Sequence, residues 1–184
     1  SGLRIATAAD DAAGLAISER MRSQIRSYGV AARNAQDGIS LTQTAEGALN
    51  EASNILVRMR ELSMQSANGT LSQEDRDTLD TEFQQLSEEL DRIAGNSEFN
   101  GIALLDGTQV AGIDIQVGLD SGEVINIQLV DVQVASLNIL VPGIDNTADA
   151  NTALGEIDAA IEILNTARGD LGAAENRMQS TLRS

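Results

Sequence analysis

The chain has no cysteine, no histidine and no tryptophan, and a single proline among 184 residues. Without cysteine there are no disulfides and no thiol chemistry. Without histidine the commonest general base near neutral pH and the commonest metal ligand are both gone. Aromatic side chains are scarce, with one Tyr and two Phe, so a core has to be built from Leu, Ile, Val, Met and Ala. That composition suits helices packed closely along their lengths, and one proline permits helices of unusual length. Positive charge is scarce too: 12 basic residues stand against 28 acidic ones, for a net charge of −16. A phosphate backbone requires a basic patch, so nucleic acid is excluded as a partner and anionic membranes are disfavoured. No run approaches the ~20 apolar residues that span a bilayer. The first residues lack the charged and apolar regions of a signal peptide.

Carboxylates remain as candidate catalytic groups. Asp10/Asp11 and Glu88/Glu89 are adjacent pairs, but consecutive side chains on a helix diverge by about 100° and do not converge on one substrate atom. They read as solvated surface. The acidic run SQEDRD (72–77) lacks the alternating oxygen ligands and central glycine of a calcium loop; its expected role is to start a helix. No catalytic site, metal site or cofactor site is indicated.

Apolar spacing then sets the organisation. Asp10 and Asp11 suit a helix N-terminus, and no strong stop follows before Asn68. Met21, Ile25, Tyr28, Ala32, Ala35 and Ile39 step by four and three. After a phase shift near Gly38, the pattern resumes at Ala45, Leu49, Ala52, Leu56 and Met59. Steps averaging about 3.5 mark a coiled-coil-like seam with a stutter. The spacing predicts a helix over 12–68, some 80 Å long at ~1.5 Å per residue, and hence a rod. Asn68-Gly69 is the stop and Ser72 the next N-cap, for a second helix over 72–94 carrying Leu79, Phe83, Leu86, Leu90 and Ile93.

Over 96–149 the period changes to two. IDIQVG (113–118) and EVINIQL (123–129) alternate apolar and polar residues around LDSG, which predicts a β-hairpin lying with its apolar face on the helices. VPGIDNTADAN (141–151) reads as a loop or an excision junction. A third helix is predicted over 150–184, with Ile157, Ile161, Leu164, Ala167, Leu171, Ala174, Met178 and Leu182. The expected architecture is a single α+β domain over 1–184, mainly α: an elongated bundle of three long helices with a small β-hairpin element.

Within the first helix, NILVRMRELSMQSANGT (54–70) concentrates scarce positive charge. Arg58 and Arg60, two residues apart, project about 200° apart and are not a clamp. With Leu56 and Met59 on the seam, Arg58 and Arg60 point away from it. Leu62, on the seam's flank, is expected to be partly exposed in a stripe with Ile55, Arg58 and Gln65. Glu82 approaches this face if the first two helices are antiparallel. From spacing alone this is a solvated helix face, with an Arg58–Glu61 pair contributing ~0.2–0.5 kcal/mol.

Several stretches resemble a known family. SGLRIATAADDAAGLAISERM (1–21), ARNAQDGISLTQTAEGALNE (32–51), RELSMQSANGT (60–70) and NSEFNGIALLDG (96–107) are similar to the N-terminal conserved region of bacterial flagellin. IQVGLDSGEVINIQL resembles its hairpin, and ARGDLGAAENRMQSTL (167–182) its C-terminal conserved helix. The motifs occur in the family's order and span nearly the whole chain. The resemblance implies a subunit of the extracellular bacterial flagellar filament, exported by the flagellar secretion system. The nearest alternative is a related filament-junction protein built on the same bundle.

The match is to the family's rod domain. By that resemblance the chain is expected to lack the family's segments before SGLRI and after the DLGA helix, and its outer domains are expected to be absent or reduced to the stretch between Asp131 and Asn151. A monomeric rod that forms no filaments is the expectation. The resemblance further implies a second partner, the ectodomain of the vertebrate toll-like receptor for flagellin. Its implied receptor and subunit interface comprises Arg58, Leu62 and Glu82, with Val57, Met59, Gln65 and Ser66. Val57 stands where the strongest receptor agonists usually carry Gln, Leu86 where they often carry Arg, and Met59, Ser63 and Met64 replace smaller or more apolar residues. Replacing both Arg58 and Leu62 by Ala is expected to reduce receptor binding and leave helicity intact.

Overall fold

A computed structural model describes residues 12–183; the candidate helix-start residues Asp10 and Asp11 lie outside them. Helix α1 runs Ala12–Ser66, 55 residues without a break. Helix α2 spans Gln73–Asn96, and α3 spans Thr147–Arg183. Between α2 and α3 come four short strands, β1 (Glu98–Phe99), β2 (Ile102–Ala103), β3 (Ile113–Gln116) and β4 (Val124–Ile127), paired as two separate antiparallel ladders. The fold is mainly α with a small β element, as the apolar periods predict.

Local chemistry explains the boundaries. The Ser72 hydroxyl accepts from the Asp75 amide at 3.2 Å, and the Asp75 carboxylate accepts from the Ser72 amide at 3.3 Å. This reciprocal capping box starts α2. The Ser72 hydroxyl also holds the Asp75 carboxyl below its ordinary pKa. Helix α2 does not stop at Gly95; it runs one residue further, and the Ser97 amide closes it by donating to Ile93 O at 3.0 Å. Helix α3 starts at Thr147 rather than Ala150, because the Asn146 side chain accepts from the Asp149 amide at 2.9 Å and caps it.

The hairpin is shorter than its alternation. β3 and β4 pair Ile113 with Ile127 and Ile115 with Ile125. Ile125 and Ile127 are buried, and Ile113 and Ile115 pack partly buried against the same core. The apolar face therefore lies on the helices, as an isolated hairpin in water requires. The β1–β2 hairpin is an addition. Asn100 and Gly101 both have positive φ, 50° and 76°, the two-residue turn for which Asn-Gly is the preferred sequence.

The register of α1 against α3 decides where the core sits. Arg60 meets Asp158, Glu46 meets Arg168, and Gln43 meets Glu175. The two helices are antiparallel, and this register brings the C-terminal end of α3 opposite α1 near Arg33. From Ala31 to Leu62, α1 buries Ala35, Leu41, Ala45, Leu49, Ala52, Leu56, Met59 and Leu62. Before that, every residue from Ala16 to Val30 is exposed. Met21, Ile25 and Tyr28, assigned to the seam by periodicity, are 57%, 67% and 61% exposed, and Ala32 is exposed as well. The period there is real, but of those turns only the one at Tyr28 borders the end of α3, at Thr181 and Leu182.

Candidate functional site on the outer face of the long helix

Helix α1 turns its 54–66 segment so that two arginines leave on opposite flanks. Arg58 faces α2: its Nε donates to Glu82 Oε1 at 2.7 Å, and Nη1 donates to Glu61 Oε2 at 3.0 Å. Arg60 faces α3 and grips Asp158 with both ends of its fork, at 2.6 and 3.2 Å. The geometry is bidentate, the stronger arrangement for guanidinium and carboxylate. Both arginines are pushed above their ordinary pKa by these bonds, Arg58 chiefly by Glu82 and Arg60 by Asp158. The Asp158 carboxyl is correspondingly held below its usual range by Arg60. All these side chains are well exposed, so each pair is a modest brace rather than a large source of stability.

Between the two braces, the outward stripe of α1 carries Val57, Glu61 and Met64. Val57 is 46% exposed and Met64 is 55% exposed. Two helical turns separate them, so they lie one above the other. Gln65 is also exposed.

The other interface candidates sit elsewhere. Leu62, expected to be partly exposed, is fully buried beneath the α2 and α3 side of the bundle, and so is Met59. Ser66 is buried as well, its hydroxyl donating to Ile144 O in the loop before α3. Three of the seven candidates therefore support the face from below, while Arg58, Glu82, Val57 and Gln65 reach its surface. The proposed Arg58/Leu62 double substitution would open a core cavity, which typically costs 2–5 kcal/mol for Leu→Ala. Its expected effect on binding is therefore entangled with the fold.

Two supporting residues had no sequence assignment. Arg76 is 8% exposed and donates to three carbonyls, one at the end of α1 and two in the turn after it: Ser66 O at 3.0 Å, Asn68 O at 2.7 Å and Leu71 O at 2.8 Å. Ser66 O is one of the carbonyls that a helix C-terminus leaves without partners, and the other two lie in the turn to α2. The signal was an arginine in the first turn of α2, where a helix dipole favours acids. Asp158, the counter-ion of Arg60, lies 98 positions away in the chain, beyond the reach of any local pattern.

Other surfaces are less organised. An open groove of about 580 Å³ runs beside α3, floored by Leu129, Val130, Ile163 and Ala167 and rimmed by Glu162 and Asp170. Those two acids stand eight residues apart on one helix, on the order of 12 Å, too far to share a proton. Among the described residues, no group of three acids is placed to hold a metal ion.

The family model for the bacterial flagellin N-terminal helical region matches residues 1–110. That is more than half of the chain. The chain belongs to the bacterial flagellin family. It is 48% identical to a flagellin of Halalkalibacterium halodurans, an alignment covering all of this chain and 68% of that protein. It is 42% identical to the flagellar filament 33 kDa core protein of Treponema phagedenis, covering 99% and 69%. The crystal structure of Bacillus cereus flagellin superposes with a TM-score of 0.74 at 38% identity, covering 83% of this chain and 88% of that one. The braced α1 face thus belongs to a structural subunit of the flagellar filament, a polymer of such subunits outside the cell.

Proposed function

We propose that the outer face of α1, with Glu82 of α2, is a protein-recognition surface with two alternative occupants. In the filament it packs against a neighbouring subunit; on the free subunit it is recognised by the ectodomain of the vertebrate toll-like receptor for flagellin. The subunit reaches the filament through the flagellar export system. The observation that carries this reading is the Arg58–Glu82 pair. Two helices present a guanidinium and a carboxylate 2.7 Å apart, each side chain 43% exposed, so a partner meets a preformed pair and has little ordering entropy to overcome. Val57 and Met64 supply apolar area beside it, and the Arg60–Asp158 brace fixes the opposite flank.

The test is titration of the receptor ectodomain against the wild-type chain, Arg58→Ala and Glu82→Ala, with circular dichroism on each. Arginine is enriched at interface hot spots, where truncation costs about 2 kcal/mol or more, so Arg58→Ala should weaken binding at least tenfold with helicity retained. Leu62→Ala belongs in a separate stability measurement, since it acts on the core. Binding by Arg58→Ala equal to wild type would remove the receptor surface from this face.

A further inference from the structure

Oxidisable side chains are few in this molecule. With no cysteine, histidine or tryptophan, facile two-electron oxidation is confined to the four methionines, and exposure divides them. Met59 and Met178 are fully buried, whereas Met21 and Met64 are 57% and 55% exposed. Met59 and Met64 stand five residues apart on α1, so their side chains leave the helix about 140° apart. One lies in the core and the other on the outward stripe. Met64 stacks two turns from the exposed Val57, between the Arg58–Glu82 and Arg60–Asp158 braces.

We propose that Met64 is an oxidation-sensitive contact of the α1 face, and that its sulfoxide lowers the affinity of that face for the receptor ectodomain. The inference rests on the interface reading above. A peroxide supplies the oxygen: the thioether sulfur attacks one peroxide oxygen, the O–O bond breaks, S=O forms, and the other oxygen leaves as water. Sulfur loses two electrons and the peroxide gains them. The flexible apolar thioether becomes a polar, chiral group. A partner that covers Met64 then has to desolvate an S=O acceptor. The helix itself is spared, because the oxidised side chain points to solvent and Met59 stays sealed in the core. Met21 oxidises in parallel on the exposed early turns of α1, 36 residues before Val57, the nearest residue of the face, and serves as an internal control.

The experiment treats the folded chain with hydrogen peroxide, maps added oxygen by peptide mass spectrometry, and titrates the product against the receptor ectodomain. Met64→Leu and Met21→Leu are carried alongside. Expected are rapid oxidation of Met21 and Met64, protection of Met59 and Met178, and unchanged helicity. Oxidised wild type and oxidised Met21→Leu should bind roughly tenfold more weakly than the reduced chain. Oxidised Met64→Leu should keep its affinity, and methionine sulfoxide reductase should restore the wild type. Equal loss of affinity in oxidised Met64→Leu overturns the proposal, as does oxidation of Met59 as fast as Met64. Failure of the reduced chain to bind overturns the interface reading and the affinity effect with it, while the peptide map still decides whether Met64 is the oxidation site.

Discussion

Helix α1 holds two regions with the same apolar rhythm and opposite fates. From Ala31 to Leu62 the stripe is buried beneath α2, α3 and the β3–β4 hairpin; from Ala16 to Val30 every residue is exposed. Met21, Ile25 and Tyr28 repeat at the same four-and-three spacing as Leu49, Ala52, Leu56 and Met59. Periodicity therefore marks a face that is able to pack. It does not say whether another helix is there to pack on it, because that depends on the register of α3, marked by contacts 98 to 132 residues apart in the chain.

The sharpest way to break the comparison is to truncate one side chain from each region. Leu56→Ala leaves a cavity in the sealed part of the bundle and should lower unfolding stability in urea by about 2–5 kcal/mol. Met21→Ala, on the exposed part, should stay within ~0.5 kcal/mol of wild type. A comparable loss from Met21→Ala would show that the first turns of α1 are packed in solution.

Arg76→Ala tests the far end of the buried region. It removes a buried donor from one carbonyl at the α1 terminus and two in the turn that follows. Stability should fall by roughly 1–3 kcal/mol, and amide exchange should quicken around Ser66 to Leu71 before it does in the middle of α1.

Glycines sharpen the contrast further. A Cβ on Gly38 would stand 2.6 Å from Met178 Sδ and 3.0 Å from an Ile115 carbon, whereas one on Gly29 meets nothing within 4 Å. Gly38→Ala should cost about 1–2 kcal/mol, the strain of overpacking partly offset by helix propensity. Gly29→Ala should raise the thermal midpoint slightly, through helix propensity alone.

The smallest effect is the pH dependence of the α1–α3 brace. Arg60 holds the folded Asp158 carboxyl below its ordinary value. Its contribution is therefore present above the unfolded carboxyl pKa, near ~3.9, and is lost as pH falls through the lower folded value. Arg60→Ala should flatten the acid limb of the stability profile slightly, and the difference from wild type should shrink at high salt.

Much of the fold was legible because its signals are local. Asn68-Gly69 and Ser72 mark the first turn between helices, and the alternation from Ile113 to Leu129 marks the hairpin and the side it buries. The Asn100-Gly101 turn carried an equally local signal that stood unused in the FNG motif. The candidate site was legible only in part. An antiparallel α1–α2 pair brings Glu82 to the face of Arg58, because both lie near the turn joining the two helices. Leu62 was misplaced: its burial needs helices on both sides of α1, and a seam deduced from one helix has only one side.

The sequence by itself determined the helices, the caps that start α2 and α3, the hairpin and a core that is aliphatic apart from Phe83, since each rests on side chains within a few positions of one another. Its scarcity of oxidisable residues was likewise complete before any folding. Tertiary structure alone decided which half of α1 is sealed, that Arg60 answers to Asp158, that Arg76 closes α1, and which two methionines face water. Those outcomes depend on where α3 lands against α1, and that register is set by the summed packing of two long faces rather than by any short motif along either.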